Sequence, residues 1–386
     1  MFRIELETLF SPGRIGNVKI KNKIVRSATF EGSAQRGAVS DQLIATFTEL
    51  ARGGTGLIIT GATAVDLKST GSLTQVYLFD DSFISGHKKL VDAVHEYSEV
   101  KIATQLNHMG RQASHPKYDS VAPSSILYKL TNRIPRELTI EEIKEIIKQY
   151  VSAGRRAYES GYDMVQLHSA HGYLLSTFVS PYTNKRDDEF GGNTQKRTKI
   201  LVDIYNQLRD EVGKNFPIII KLQTQDFVPG GLTLEEGKEI AEILVDTGYD
   251  AIEPSGGLIE KEEELKDMYP SKRVKSPEEE NYFFPAVKKL KPIMKDRPIF
   301  LMGGIKNPIS AEKILREKSA DFISLSRPLI YEPDLPNRWK SGDLSPARCV
   351  SCNSCYMTML TGAVHCVVKK KIERRKKREQ KKNQKK

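Results

Sequence analysis

The stretch LHSAHGYLLSTFVSPYTNKRDDEFGG, Leu167 to Gly192, holds two of the chain's seven histidines three residues apart. A tyrosine, Tyr173, follows two residues after the second. His168 and His171 could be metal ligands, one could serve a nucleophile as base, or both could hold a substrate's oxygen. Zinc is disfavoured, because no third ligand is obvious and the spacing is not His-Glu-x-x-His. A satisfied core histidine is the plainer alternative. Both residues follow an apolar run and precede the tyrosine, which favours a pair of neutral donors aimed at an anionic oxygen. Tyr173, with an ordinary pKa of about 10, would donate a proton rather than accept one.

A second constellation lies near the end of the chain. All four cysteines, Cys349, Cys352, Cys355 and Cys366, fall within RCVSCNSCYMTMLTGAVHCVV with the spacing C-x2-C-x2-C-x10-C. Such crowding in a chain with no other cysteine suggests a metal or cluster ligand set rather than a disulfide frame. Thiolates at these spacings suit an iron–sulfur cluster or tetrahedral zinc.

The elements that must position these residues show as short β-rich runs alternating with helical patterns. The runs are IVRSATF (24–30), GLIITG (56–61), KIATQLN (101–107), MVQLHSA (164–170), PIIIKLQ (217–223), DAIEPSG (250–256), IFLMGG (299–304) and FISLSR (322–327). Thr139/Glu142 and Thr233/Glu236 have the Thr-x-x-Glu spacing that closes the first turn of a helix. Eight strand–helix units predict an α/β fold, a (β/α)8 TIM barrel spanning residues 1–345. Neither dinucleotide nor P-loop glycine fingerprints are present, which weakens an open doubly wound sheet. FSPGRIGNVKIKN reads as an N-terminal hairpin that plugs the lower end, and Ser114–Glu137 as a lid or loop insertion. A short cysteine-rich extension (346–368) and a basic tail (369–386), disordered or a frayed helix, complete the expected organisation.

Composition sets bounds on partners. Of the net charge of +11, the tail from Lys369 to Lys386 carries +10, with twelve Lys/Arg against two Glu. The rest is close to neutral, which argues against nucleic acid, since a binder would carry basic charge on its folded face. No apolar run is long enough to span a membrane. The start lacks the apolar core of a secretory signal, and a cytoplasmic location is expected.

In a barrel of this kind, chemistry sits at the C-terminal ends of the strands. Those ends carry Gln105, Asn107 and His108; His168 and His171; Lys221; Gly303–Gly304; and Ser326–Arg327. The last two pairs stand where barrels usually hold a phosphate.

Taken together, NKIVRSAT, GLIITGATAV, QLNHMGRQA, HSAHGYLLSTFVSP with its following N, R, DEFGG and R, MGGI and SRPL resemble the old yellow enzyme family of FMN-dependent oxidoreductases. The resemblance covers roughly residues 5–345 and keeps the family's order. It implies that Ala28 and Ala62 lie against the flavin and that Gln105 bonds its pyrimidine edge. Lys221 would stand where the family often has Arg, near flavin N1 and the C2 oxygen. Gly303, Gly304, Ser326 and Arg327 would hold the FMN phosphate. His168 and His171 would bind the substrate's activating oxygen and Tyr173 would donate the proton. The implied activity is reduction of FMN by NAD(P)H and hydride transfer to an α,β-unsaturated carbonyl or related small molecule. One departure is Phe30, where family members often place Thr, Cys or His; whether Thr29 replaces that group is open.

The cysteine spacing resembles the 2,4-dienoyl-CoA reductase / trimethylamine dehydrogenase branch, where a 4Fe-4S cluster follows the barrel and the later gaps run one residue longer. The resemblance favours the cluster over zinc, because a nearby flavin gives electrons a destination. That branch continues into a flavin- and nucleotide-binding module, absent from this sequence. Electrons for a cluster would then come from a ferredoxin or another flavoprotein; otherwise NAD(P)H reduces the FMN directly. A C–N-cleaving amine dehydrogenase on the same fold, and a non-enzymatic nucleic-acid or assembly protein using the basic tail, stay open as alternatives, as does a homo-oligomer.

Overall fold

The computed structural model describes residues 5–70, 72–97, 99–258, 260, 271–358 and 362–384. Its centre is a barrel of eight parallel strands. They are β1 (Ile24–Arg26), β2 (Leu57–Ala64), β3 (Lys101–Asn107), β4 (Met164–Ser169), β5 (Ile218–Gln223), β6 (Ala251–Ser255), β7 (Phe300–Leu301) and β8 (Phe322–Leu325). They pair in chain order from β1 to β6, with β8 beside β1 and β7 beside β8. A parallel bridge between Ile252 and Ile299 closes the ring.

Strand periodicity explains the layering. Side chains alternate faces along a strand, so one set points into the barrel and the other toward the helices. Ile24, Ile58, Ile102, Val165, Ile218, Ile252 and Ile323 join the outer core against the helices. Val25, Leu57, Ala103, Met164, Ile219, Ala251, Phe300 and Phe322 form a separate inner cluster with Ile15 and Ile20. Those two isoleucines are fully buried and belong to the antiparallel hairpin Gly13–Ile15/Val18–Ile20. The hairpin therefore seals the lower barrel, as its sequence predicts, and each such burial contributes roughly 1.5–3 kcal/mol.

Both Thr-x-x-Glu sequences cap helices reciprocally, at Ile140–Glu159 and Leu234–Thr247. Residues 114–137 hold a short parallel pair, Val121–Ala122 with Arg136–Glu137, and an antiparallel bridge between Tyr128 and Arg133. Beyond the barrel, Cys366 caps an exposed helix, Val367–Asn383, that carries the basic tail. Among the described residues no helix is long and apolar enough to cross a membrane.

Two strands keep less than half of their sequence runs. β1 ends at Arg26, its last ladder bond running from the N–H of Ser27 to the carbonyl of Leu325 at 2.9 Å. It touches β2 again only through a bridge from Phe30 to Gly61. A Cβ on Gly61 would lie 2.7 Å from the Thr29 nitrogen, so this close approach needs glycine. The β2–β3 register shifts between Thr60 and Thr63, and this irregularity carries Ala62. β7 ends at Leu301, because Gly303 and Gly304 turn the chain away at φ 118° and 76°.

Candidate active site

Above the apolar inner layer, the same inward alternation brings polar residues to one level. The parallel register places His168 opposite Lys221 and Lys221 opposite Glu253, while Gln105 pairs with Gln166. The Lys221 ammonium lies 3.4 Å from Glu253 Oε2, with both side chains almost wholly buried. Gln105 Nε2 donates to Gln166 Oε1 at 2.8 Å, and Gln166 Nε2 donates to Glu253 Oε2 at 2.8 Å. Ser27 and Ser324 donate to Glu253 Oε1 at 2.7 and 2.6 Å. Burial pushes the Glu253 carboxyl up, but Lys221 and the bonds from Ser324, Ser27 and Gln166 outweigh it and hold it below the usual carboxylate range.

The histidines sit one step higher. His168 lies at the end of β4 with its ring 4.9 Å from those of both His171 and Tyr173. Its Nδ1 is buried without a partner among the described residues, a polar atom that calls for one. His171 adopts φ 66°, unusual for a residue with a side chain. Tertiary bonds hold it there. Its N–H donates to Gln223 Oε1 at 2.6 Å, Gln112 Nε2 donates to its carbonyl at 2.7 Å, and its Nε2 lies 2.7 Å from Ser255 Oγ.

Burial, His171 and Lys221 lower the His168 pKa well below its ordinary value. Burial and Lys221 do the same for His171. Both rings are therefore neutral near pH 7. Burial, with Tyr356 and Tyr128 nearby, raises the pKa of Tyr173, so its hydroxyl keeps its proton.

A cavity of ≈ 640 Å³, counted to its open mouth, brings Ala28, His171, Lys221, Gly303, Gly304, Ser326 and Arg327 together. Ala62, Gln105, His168 and Tyr173 do not line it. Gln105 reaches Lys221 only through Gln166 and Glu253. Gly304 lines the cavity and sits where a Cβ would lie 2.4 Å from Val274 Cγ2, a close approach that needs glycine. Arg327 does more than face this cavity: its Nη1 donates to Asn353 Oδ1 at 2.6 Å and its Nη2 to the carbonyl of Lys272 at 2.9 Å. Thr29 Oγ1 donates to the carbonyl of Ser27 at 3.0 Å and lies 2.8 Å from Ser326 Oγ.

All four cysteines line a smaller cavity of ≈ 300 Å³ that also includes Arg327 and Asn353. Among the described residues, no group of three or more His, Cys, Asp or Glu is arranged to hold a single metal ion. Burial pushes the Cys355 thiol up to about 11 and raises Cys349 as well.

Sequence reasoning missed Glu253, Gln166, Ser27 and Ser324. The signal was present: each sits two residues from an inward apolar residue within or beside a recognised strand. Asn353, Tyr128 and Tyr356 had no such signal, because only folding brings them to the site.

Comparison with known proteins identifies the family. Residues 8–344 match the NADH:flavin oxidoreductase / NADH oxidase family. An NADH oxidase of Thermoanaerobacter brockii is 38% identical over 351 residues, 89% of this chain and 52% of that protein. The chain thus spans about half the length of that relative. A 4,4'-dithiodibutanoate disulfide reductase of Rhodococcus erythropolis is 30% identical over 390 residues, 94% of this chain and 95% of that protein. The structure of a 2-naphthoyl-CoA reductase in complex with 2-naphthoyl-CoA superposes with a TM-score of 0.86 at 27% identity, covering 94% of this chain and 57% of that one. On the family match and these identities, the chain belongs to the NADH:flavin oxidoreductase / NADH oxidase family.

Proposed function

We propose that the chain is an FMN-dependent oxidoreductase of the ene-reductase type, reduced by NAD(P)H and acting on an α,β-unsaturated carbonyl or related small molecule. The observation that carries this reading is the level at the barrel top where Lys221, His168, His171 and Tyr173 meet beside the Gly303–Gly304/Ser326/Arg327 cavity. The residues fit FMN: the glycine backbone and Arg327 suit a phosphate, and the Lys221 cation favours an electron-rich ring above it. Bound FMN would supply hydride transfer between the nicotinamide and the substrate.

The chain's own residues would do the rest. His168 and His171, neutral and fixed in position, would donate hydrogen bonds to the substrate oxygen, where negative charge develops in the transition state. Tyr173, kept protonated by burial, would hold the proton destined for carbon. Tyr173→Phe should therefore slow substrate reduction by about 100-fold and leave reduction of the flavin by NAD(P)H unchanged. Stopped-flow traces in which both half-reactions slow equally would reject the role. Flavin released by heat should run as FMN; FAD or no flavin would reject the cofactor.

For Cys349, Cys352, Cys355 and Cys366 the proposal is a 4Fe-4S cluster, fed by a ferredoxin or flavoprotein donor. A closed tetrahedral zinc site needs all four sulfurs about 2.3 Å from one ion. All four thiols line one cavity, and a flavin nearby would give a cluster's electrons a destination, which favours the cluster. Protein purified without oxygen should contain about four irons and four sulfides per chain. One zinc with no sulfide would replace this reading.

A further inference from the structure

We infer that the cysteine-rich segment forms a wall of the anion cavity, with Asn353 as the positioning residue that aims Arg327 at a phosphate. The inference rests on the reading that this cavity takes the phosphate of FMN. Both ends of the Asn353 amide are engaged. Its Oδ1 accepts from Arg327 Nη1 at 2.6 Å, and its Nδ2 donates to the carbonyl of Ser271 at 2.5 Å. Arg327 Nη1 also lies 3.5 Å from the carbonyl of Ser351. Ser271, Ser351 and Arg327 line the anion cavity, while Arg327 and Asn353 line the cavity of the four cysteines. The two cavities therefore share a wall.

These contacts occupy three of the five N–H groups of the guanidinium, leaving two for an anion. A guanidinium already held in place loses less side-chain entropy when it grips a phosphate than a mobile one does. The loop is bent to make this possible. Ser351 and Asn353 both adopt left-handed backbone, at φ 54° and 61°, a conformation that costs energy unless surrounding contacts maintain it. Because affinity linkage is reciprocal, a phosphate that draws on Arg327 must also steady the loop carrying Cys349, Cys352 and Cys355.

Asn353→Gly tests this, since glycine accepts φ 61° and removes only the side chain. The measurement is the dissociation constant of FMN against that of riboflavin, which lacks the phosphate. The wild type should prefer FMN. Asn353→Gly should reduce that preference by about tenfold, the scale of one charge-assisted hydrogen bond, with riboflavin binding kept. An unchanged preference overturns the positioning role while leaving the flavin assignment intact. A wild type that binds FMN and riboflavin equally overturns the phosphate reading of the cavity, and this inference with it. Hydrogen exchange of the wild type needs no variant: amides of residues 349–355 should exchange more slowly with FMN bound than with riboflavin bound. Equal exchange would also overturn the inference.

Discussion

His168, Lys221 and Glu253 are neighbours because three parallel strands pair in one register. Cys349, Cys352 and Cys355 share a cavity because a short loop bends around one asparagine. In the strands, a residue cannot move relative to the next without shifting a whole ladder and turning every side chain to the other face. In the segment, position depends on separate tethers. The N–H of Arg348 donates to Glu332 Oε1 at 2.7 Å, and Arg327 holds Asn353. The N–H of Val364 donates to the carbonyl of Glu31 at 2.8 Å. The difference teaches that the strand level should be stiff, costly to disturb and integral to the fold. The segment should be alterable with little effect on the barrel.

The largest effect should follow removal of the carboxylate on which the strand level converges. Glu253→Ala leaves the buried Lys221 ammonium and the donors of Ser27, Ser324 and Gln166 without their acceptor. Breaking a buried pair in this way costs about 3–5 kcal/mol, readable in a urea unfolding curve. A loss below about 1 kcal/mol would show that the level does not depend on this residue, and the contrast with the segment would weaken.

Acid should next disturb the histidines one step above that level. His168 and His171 are held neutral in the fold, with folded pKa values below their unfolded ones. Between those values the unfolded chain binds more protons, so stability is full above about pH 6.5 and falls as the pH drops below it, by about 1 kcal/mol per histidine over the first unit. Glu253, also depressed, loses its contribution lower still, as the pH falls through its folded pKa. Melting temperatures measured from pH 7.5 to 5 check the sign. A melting temperature that rises on acidification would mean the histidines are charged in the fold.

The smallest effect on the barrel should come from Cys352→Ser. It should remove bound iron, yet change the barrel's unfolding free energy by no more than about 0.5 kcal/mol, as for other substitutions outside a core. Metal analysis and an unfolding curve on the same preparation decide it. Destabilisation on the scale of Glu253→Ala would make the segment a structural part of the barrel and erase the distinction.

Much of this organisation could be read from the chain before folding was considered. Eight apolar runs became eight strands, with β3 matching KIATQLN residue for residue. Both Thr-x-x-Glu sequences became capping boxes, and Ile15 and Ile20 became the plug. Such signals are local: two-residue alternation, a four-residue cap and a hairpin each lie within a short window, so the physics that creates them is written in neighbouring residues. His168, His171 and Tyr173 could be singled out as candidates for the same reason, since they fall in one short stretch.

Tertiary structure alone decided what those residues face. Ser27 and Glu253 are 226 positions apart and meet only because the barrel closes. The pairing of β5 with β6 determines that Lys221 is a paired cation. Arg327 could be placed at the end of β8 from sequence, but not its bonds to Asn353 and Lys272, which depend on how the last segment folds back. Ala62 owes its place to a register shift that no alternation pattern marks. A side chain's type and the face it takes follow from its own strand, whereas its partner, and with it its charge and its protons, depends on which distant strands lie beside it.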